Sequence, residues 1–178
     1  MKSFKSLKFL FVMLFVFVSI ACNGAVVDKI SAQTINSSNS IVITNNALLG
    51  EQVVLTSQQD KLYLHIVNTA TDEKREITLV RYNSVVSKHG VTIHGVTKDN
   101  EEILILVNEI KGADYLLCEV SSDKSSNPFN ISFESDGIGF GNNLQNVNYY
   151  KSYHQEMYLI EDIKGALKYF KQWVNKNH

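Results

Sequence analysis

Four tyrosines and a histidine, Tyr149, Tyr150, Tyr153, His154 and Tyr158, crowd one short stretch near the end of the chain. Rings with a polar tip combine large contact area with a hydrogen-bonding group, so the cluster is a candidate groove for a glycan or peptide. The competing expectation is that the rings straddle a junction between sheet and helix, as core and rim. His65, His89 and His94 are the next side chains capable of chemistry, as metal ligands or general bases. A zinc site needs three or four convergent ligands, and residues five apart on a strand fall on opposite faces, which separates His89 from His94. No metal is expected. A hydrolase would draw a serine or a carboxylate pair to His65, His94 or His154, yet the chain has no Gly-x-Ser-x-Gly elbow.

Gly137-Ile138-Gly139-Phe140-Gly141 has the glycine density of a phosphate loop. It lacks the Lys-Ser/Thr and the following helix that such a loop needs, and Asn142-Asn143 follows instead. A turn or a glycine-bent edge strand is expected there, and no cofactor. Cys118 lies in Tyr115-Leu116-Leu117-Cys118-Glu119-Val120, which reads as a strand. A reactive cysteine needs an electropositive, accessible setting, so a buried, inert thiol is expected. No residue is singled out as catalytic.

The elements that would position these groups are short and apolar, separated by turn residues. Ile41–Thr44, Gln52–Thr56, Lys61–Asn68, Glu76–Tyr82, Val91–Thr97, Glu102–Glu109, Asp114–Val120 and Asn130–Glu134 recur at the spacing of an all-β protein. Their connections are too short for crossover helices, so neighbours are antiparallel. The clearest hairpin joins Val91–Thr97 to Glu102–Val107 through Lys98-Asp99-Asn100-Glu101. Its second strand is almost wholly apolar, which predicts a central strand covered on both faces or lying in a barrel wall. Residues 121 to 128, with the chain's one proline, form the longest polar loop and the best candidate for a mobile one.

From about Glu161 to Asn175 the period changes. Ile160, Ile163, Leu167, Phe170 and Val174 share one face of a helix, opposite Lys164, Lys168, Lys171 and Asn175. Gly165 within it points to close approach of a strand. The fold class expected is therefore α+β: an antiparallel meander of eight or nine strands, as a twisted sheet or small barrel, with one C-terminal amphipathic helix. Strand number and length also fit a lipocalin-like barrel, although the Gly-x-Trp of lipocalins is absent.

The first residues are of another kind. Lys2, Lys5 and Lys8 precede an uninterrupted apolar run from Phe9 to Val18, and no acidic residue occurs before Asp28. That is the pattern of a signal peptide, and a run this short falls below the roughly 20 residues of a spanning helix. The run ends in Val18-Ser19-Ile20-Ala21-Cys22-Asn23-Gly24, which resembles the cleavage site of bacterial lipoprotein signal peptides. Ala21 matches the small residue before the cysteine, whereas Ser19 and Ile20 depart from the usual aliphatic and small residues. The resemblance implies residues 1–21 as a leader, Cys22 as a lipidated N-terminus and a membrane partner through that lipid. Ordinary cleavage after Ala21 or near Gly24, giving a soluble periplasmic or secreted protein, is the alternative, and a Cys22–Cys118 bridge then becomes open to it. Residues 22–40, rich in Ser, Asn, Ala and Thr, read as a flexible tether, and residues 41–178 as one globular domain.

Cleavage before Cys22 removes three of 17 basic residues and leaves 14 against 18 acidic ones, a net charge of −4. With no basic run, nucleic acid is not an expected partner. Three functions stay open: an envelope-associated binding or interaction module for an unknown protein or small ligand, a carrier of a small hydrophobic or glycan ligand, and a secreted hydrolase.

Overall fold

Along Lys61–Asn68, Leu62, Leu64 and Ile66 alternate with Tyr63 and His65, and this period of two sends the aliphatic set to one face. The same alternation recurs among the described residues, which form ten strands. The structure is a computed structural model that describes residues 33–44, 50–68, 71, 73–124, 128–144 and 157–177. By contacts the chain divides into two units, Met1–Gln33 and Thr34–His178, and the second holds the ten described strands and the C-terminal helix. Residues 22–32 of the expected tether lie outside the described residues. Its last part belongs to the fold: Ile35 is buried in the core and the first strand begins at Ser40.

The strands are β1 (Ser40–Thr44), β2 (Glu51–Gln58), β3 (Lys61–Asn68), β4 (Glu73–Val86), β5 (Gly90–Thr97), β6 (Glu102–Glu109), β7 (Leu116–Ser122), β8 (Phe129–Ser135), β9 (Gly137–Gly141) and β10 (Met157–Ile160). All their pairings are antiparallel, in the order β10-β9-β1-β2-β3-β4-β5-β6-β7-β8. The fold is thus the expected antiparallel meander with a C-terminal helix, and the hydrogen-bonded sheet is open. It is also strongly curled. Asp136 alone separates β8, at one end of the order, from β9, which pairs with β1 near the other. One residue spans at most about 3.6 Å, so the two ends of the sheet must meet there. The Thr44 hydroxyl fixes that corner by donating to Asp136 Oδ1 at 2.9 Å and to the Gly137 carbonyl at 2.8 Å. Across the concave side, the Arg75 guanidinium of β4 lies 4.2 Å from the ring centre of Phe129 on β8.

Inward-facing residues of every strand join one core, among them Ile41, Leu55, Leu64, Leu79, Ile93, Ile105, Val120 and Phe140. The concave side is therefore packed. Helix α1 (Ile163–Lys176) lies against β4, β5, β9 and β10 and buries Ala166, Leu167, Phe170, Trp173 and Val174 there. Asp162 caps its N-terminus, where Oδ2 accepts the Gly165 amide at 2.8 Å. Gly165 is the helix's third residue, and a Cβ on it would stand 2.8 Å from that same Asp162 oxygen. Its small size serves the cap, and the strand neighbour, Ile160 of β10, would lie at an ordinary contact distance of 3.5 Å from that Cβ.

Two expectations change with β9 and β6. Gly137–Gly141 is neither a turn nor an edge: it is an inner strand, buried throughout between β1 and β10. Ile138 and Phe140 fill the core, while a Cβ on Gly137 would meet the Ile160 carbonyl oxygen at 2.8 Å, so glycine lets β10 come close. In β6, Ile103, Ile105 and Val107 are buried, but Leu104 and Leu106 on the convex face are only half-buried, so a single face is fully covered. Of the polar loop, residues 121–124 are tied to β6: Asp123 accepts the Glu102 amide at 2.7 Å and Ser122 donates to Glu101.

Candidate functional site

Tyr149, Tyr150, Tyr153 and His154 lie outside the described residues. Tyr158, on β10, packs against the main core. The histidines do not converge. His65 of β3 faces Glu76 of β4 at 3.4 Å, His94 of β5 faces Glu102 of β6 at 3.4 Å, and His89 stands 4.0 Å from Glu109. Along β4, His65 pairs opposite Glu76 and His94 opposite Asn83, seven residues on, which at the usual strand rise separates them by roughly 20 Å. Among the described residues no three His, Cys, Asp or Glu side chains come together. Cys118 is a free, buried thiol on β7.

A different constellation is assembled at one rim of the sheet. Gln58 and Lys61 pair across a two-residue turn, Gln59-Asp60, in which both residues have positive φ, 53° and 59°. Such a primed turn matches the twist of its hairpin, and it ordinarily takes Asn-Gly or Asp-Gly. Gln59 in the left-handed region costs on the order of 1 kcal/mol, held by the surrounding β2–β3 pairing. Beside it, the register of β4 against β5 shifts between Leu79 and Arg81. Before this bulge odd-numbered residues face the core, as Ile77 and Leu79 do; after it Tyr82 does. One inserted residue thereby turns Arg81 outward at the rim. The Tyr82 hydroxyl donates to the Asn177 carbonyl at 2.7 Å, which draws the C-terminal end of α1 to the same place.

Together these elements line a cleft of about 570 Å³ with Ser57, Gln58, Gln59, Asp60, Arg81, Tyr82, Lys176 and Asn177. That is within the roughly 300–1,000 Å³ of small-molecule sites. Its charges are two cations and one carboxylate. Lys176 Nζ donates to the Asn36 carbonyl at 2.6 Å and keeps further N–H groups for a ligand. Arg81, one of only two arginines in the chain, makes no hydrogen bond or ion pair among the described residues. Carboxamides, a hydroxyl, a phenol and a guanidinium without a partner among the described residues make this a polar surface. It offers no nucleophile beside a base.

Sequence reading missed the cleft. Its parts come from three distant segments, and neither a bulge nor a positive φ at Gln59 has a residue signature; the scarcity of arginine was the one available signal. Comparison with known proteins finds no matching protein-family model, no matching curated protein and no matching solved structure.

Proposed function

We propose that this chain is an exported, envelope-associated binding protein, held to a membrane by a lipid on Cys22, which takes a small polar ligand in the cleft around Arg81. The observation that carries the binding reading is Arg81 itself: a guanidinium set outward by a bulge, lining a cleft, without a partner among the described residues. Five N–H donors in a rigid fork are a recognition group of high information content when no described residue uses them. The strained Gln59-Asp60 turn on the same cleft supports it, since such conformations concentrate at ligand sites. Export and anchoring are supported by the leader and by the Ala21-Cys22 junction. A carrier would need its ligand inside the curled sheet, and Leu55, Leu64, Ile93 and Phe140 occupy that space.

Immobilised mature chain and its Arg81→Gln variant, exposed to the soluble small molecules of an envelope extract, test the reading. Compounds retained by the first and not by the second are expected. Equal retention on both, or steady turnover of a retained compound, overturns it.

A further inference from the structure

We infer that the ligand of this cleft is an acidic saccharide whose carboxylate sits on Arg81, an inference that rests on the cleft being the binding site. Charge selects first. Arg81 and Lys176 outnumber Asp60, so the lining favours an anion, and a guanidinium fork matches the two oxygens of a carboxylate. Asp60 selects next. A carboxylate can only accept hydrogen bonds when ionised, so it repels a second negative charge and rewards a donor such as a hydroxyl. A phosphate would set its double charge beside Asp60. A ring that carries one carboxylate and several hydroxyls satisfies both ends of the cleft at once.

The remaining lining agrees with that choice. Gln58 and Gln59 each present an acceptor and two donors in a fixed plane, Asn177 keeps its carboxamide oxygen and one N–H beyond the bond to the Trp173 carbonyl, and Ser57 adds a hydroxyl, a set that suits alternating ring hydroxyls. The side chains of Gln58, Gln59 and Asp60 make no hydrogen bond among the described residues, so their polar groups are available. An acidic peptide would instead look for a strand edge on which to continue backbone pairing. At this rim β2 and β3 turn back on each other, while Arg81–Val86 of β4 pair with β5 alone, so glutamate serves as the control for that alternative.

Calorimetric titration of the mature Cys22→Ser chain with sodium glucuronate, glucose, sodium glutamate and inorganic phosphate tests the inference. Glucuronate is expected to bind saturably, glucose about tenfold or more weaker, and glutamate and phosphate weaker than glucuronate. Arg81→Gln is expected to bring glucuronate down to the level of glucose, and Arg81→Lys, which keeps the charge and loses the fork, to fall between. Unchanged fluorescence of Trp173 verifies that both variants fold. Glucose binding as tightly as glucuronate, phosphate or glutamate binding more tightly, or indifference to Arg81→Gln would overturn it. If none of the four binds while Arg81 still governs retention of compounds from the extract, the acidic saccharide is wrong and the binding cleft stands; if neither occurs, both fall.

Discussion

Cys118 sits in the middle of β7 with its side chain in the core, and burial, reinforced by the carboxylates of Glu119 and Glu51, pushes its thiol far above the ordinary range. Only the thiolate is nucleophilic, so the group is inert while the fold holds. In a Cys22→Ser chain at pH 8, a chromogenic disulfide reagent is expected to label Cys118 no faster than the protein unfolds, and to label it at once in guanidinium; prompt labelling of the native chain would contradict this. His65 gives a pH-dependent counterpart. Its side chain is 11% exposed, and burial lowers its pKa from 6.5, with Glu76 opposing the shift through charge and hydrogen bonding. A lowered folded pKa means that the unfolded chain binds the proton more readily, so stability is full above about 6.5 and declines as the pH falls through the folded value. Urea midpoints measured from pH 7.5 to 5 should therefore drop, and His65→Gln should flatten that part of the profile. An identical slope in the variant would show that other groups carry it.

Strands and helix repeat the lesson at the next scale, where small residues and caps decide how elements meet. Gly137→Ala would drive a Cβ into the Ile160 carbonyl, so β10 has to move, at a cost of roughly 1–3 kcal/mol by the usual penalty for overpacking. Asp162→Ala removes the N-cap of α1 and is expected to cost about 1 kcal/mol. Denaturant unfolding of both variants, followed through Trp173, measures these losses; wild-type midpoints would refute the packing described. Eight strands were legible because short aliphatic runs between turn residues identify a strand, whether alternating, as in Leu62–Ile66, or unbroken, as in Ile103–Val107. β9 and β10 were not, since Gly-Ile-Gly-Phe-Gly has the composition of a loop and becomes a strand only when β1 and β10 flank it. β4 extended from the expected Glu76–Tyr82 to Glu73–Val86 because β3 pairs with its first half and β5 with its second, which overrides its polar ends. The helix was legible from its period: it begins at Ile163 instead of Glu161, and Leu167, Phe170 and Val174 are buried as expected, together with Ala166 and Trp173, which the pattern does not mark.

At the scale of the whole sheet, its curl decides where a polar cleft is left. Joining β8 to β9 through Asp136 closes the concave side around aliphatic and aromatic side chains, and polar groups are left to the rim, where the β2–β3 turn, the β4 bulge and the end of α1 meet. A cleft made from residues 57–60, 81–82 and 176–177 exists only once the sheet has curled, which is why no local pattern announced it. Anchoring belongs to this scale as well. Wild-type protein is expected in the membrane fraction with Cys22 as its acylated first residue, and a Cys22→Ser variant in the soluble fraction. Normal maturation and solubility of the wild type would remove the lipid and leave export and the cleft untouched. The most direct measurement is the map of backbone amide shifts when isotope-labelled mature chain is titrated with a small-molecule envelope extract. Saturable shifts confined to residues 57–61, 81–82 and 176–177 are predicted, and shifts that leave these amides unmoved would contradict a binding site at Arg81.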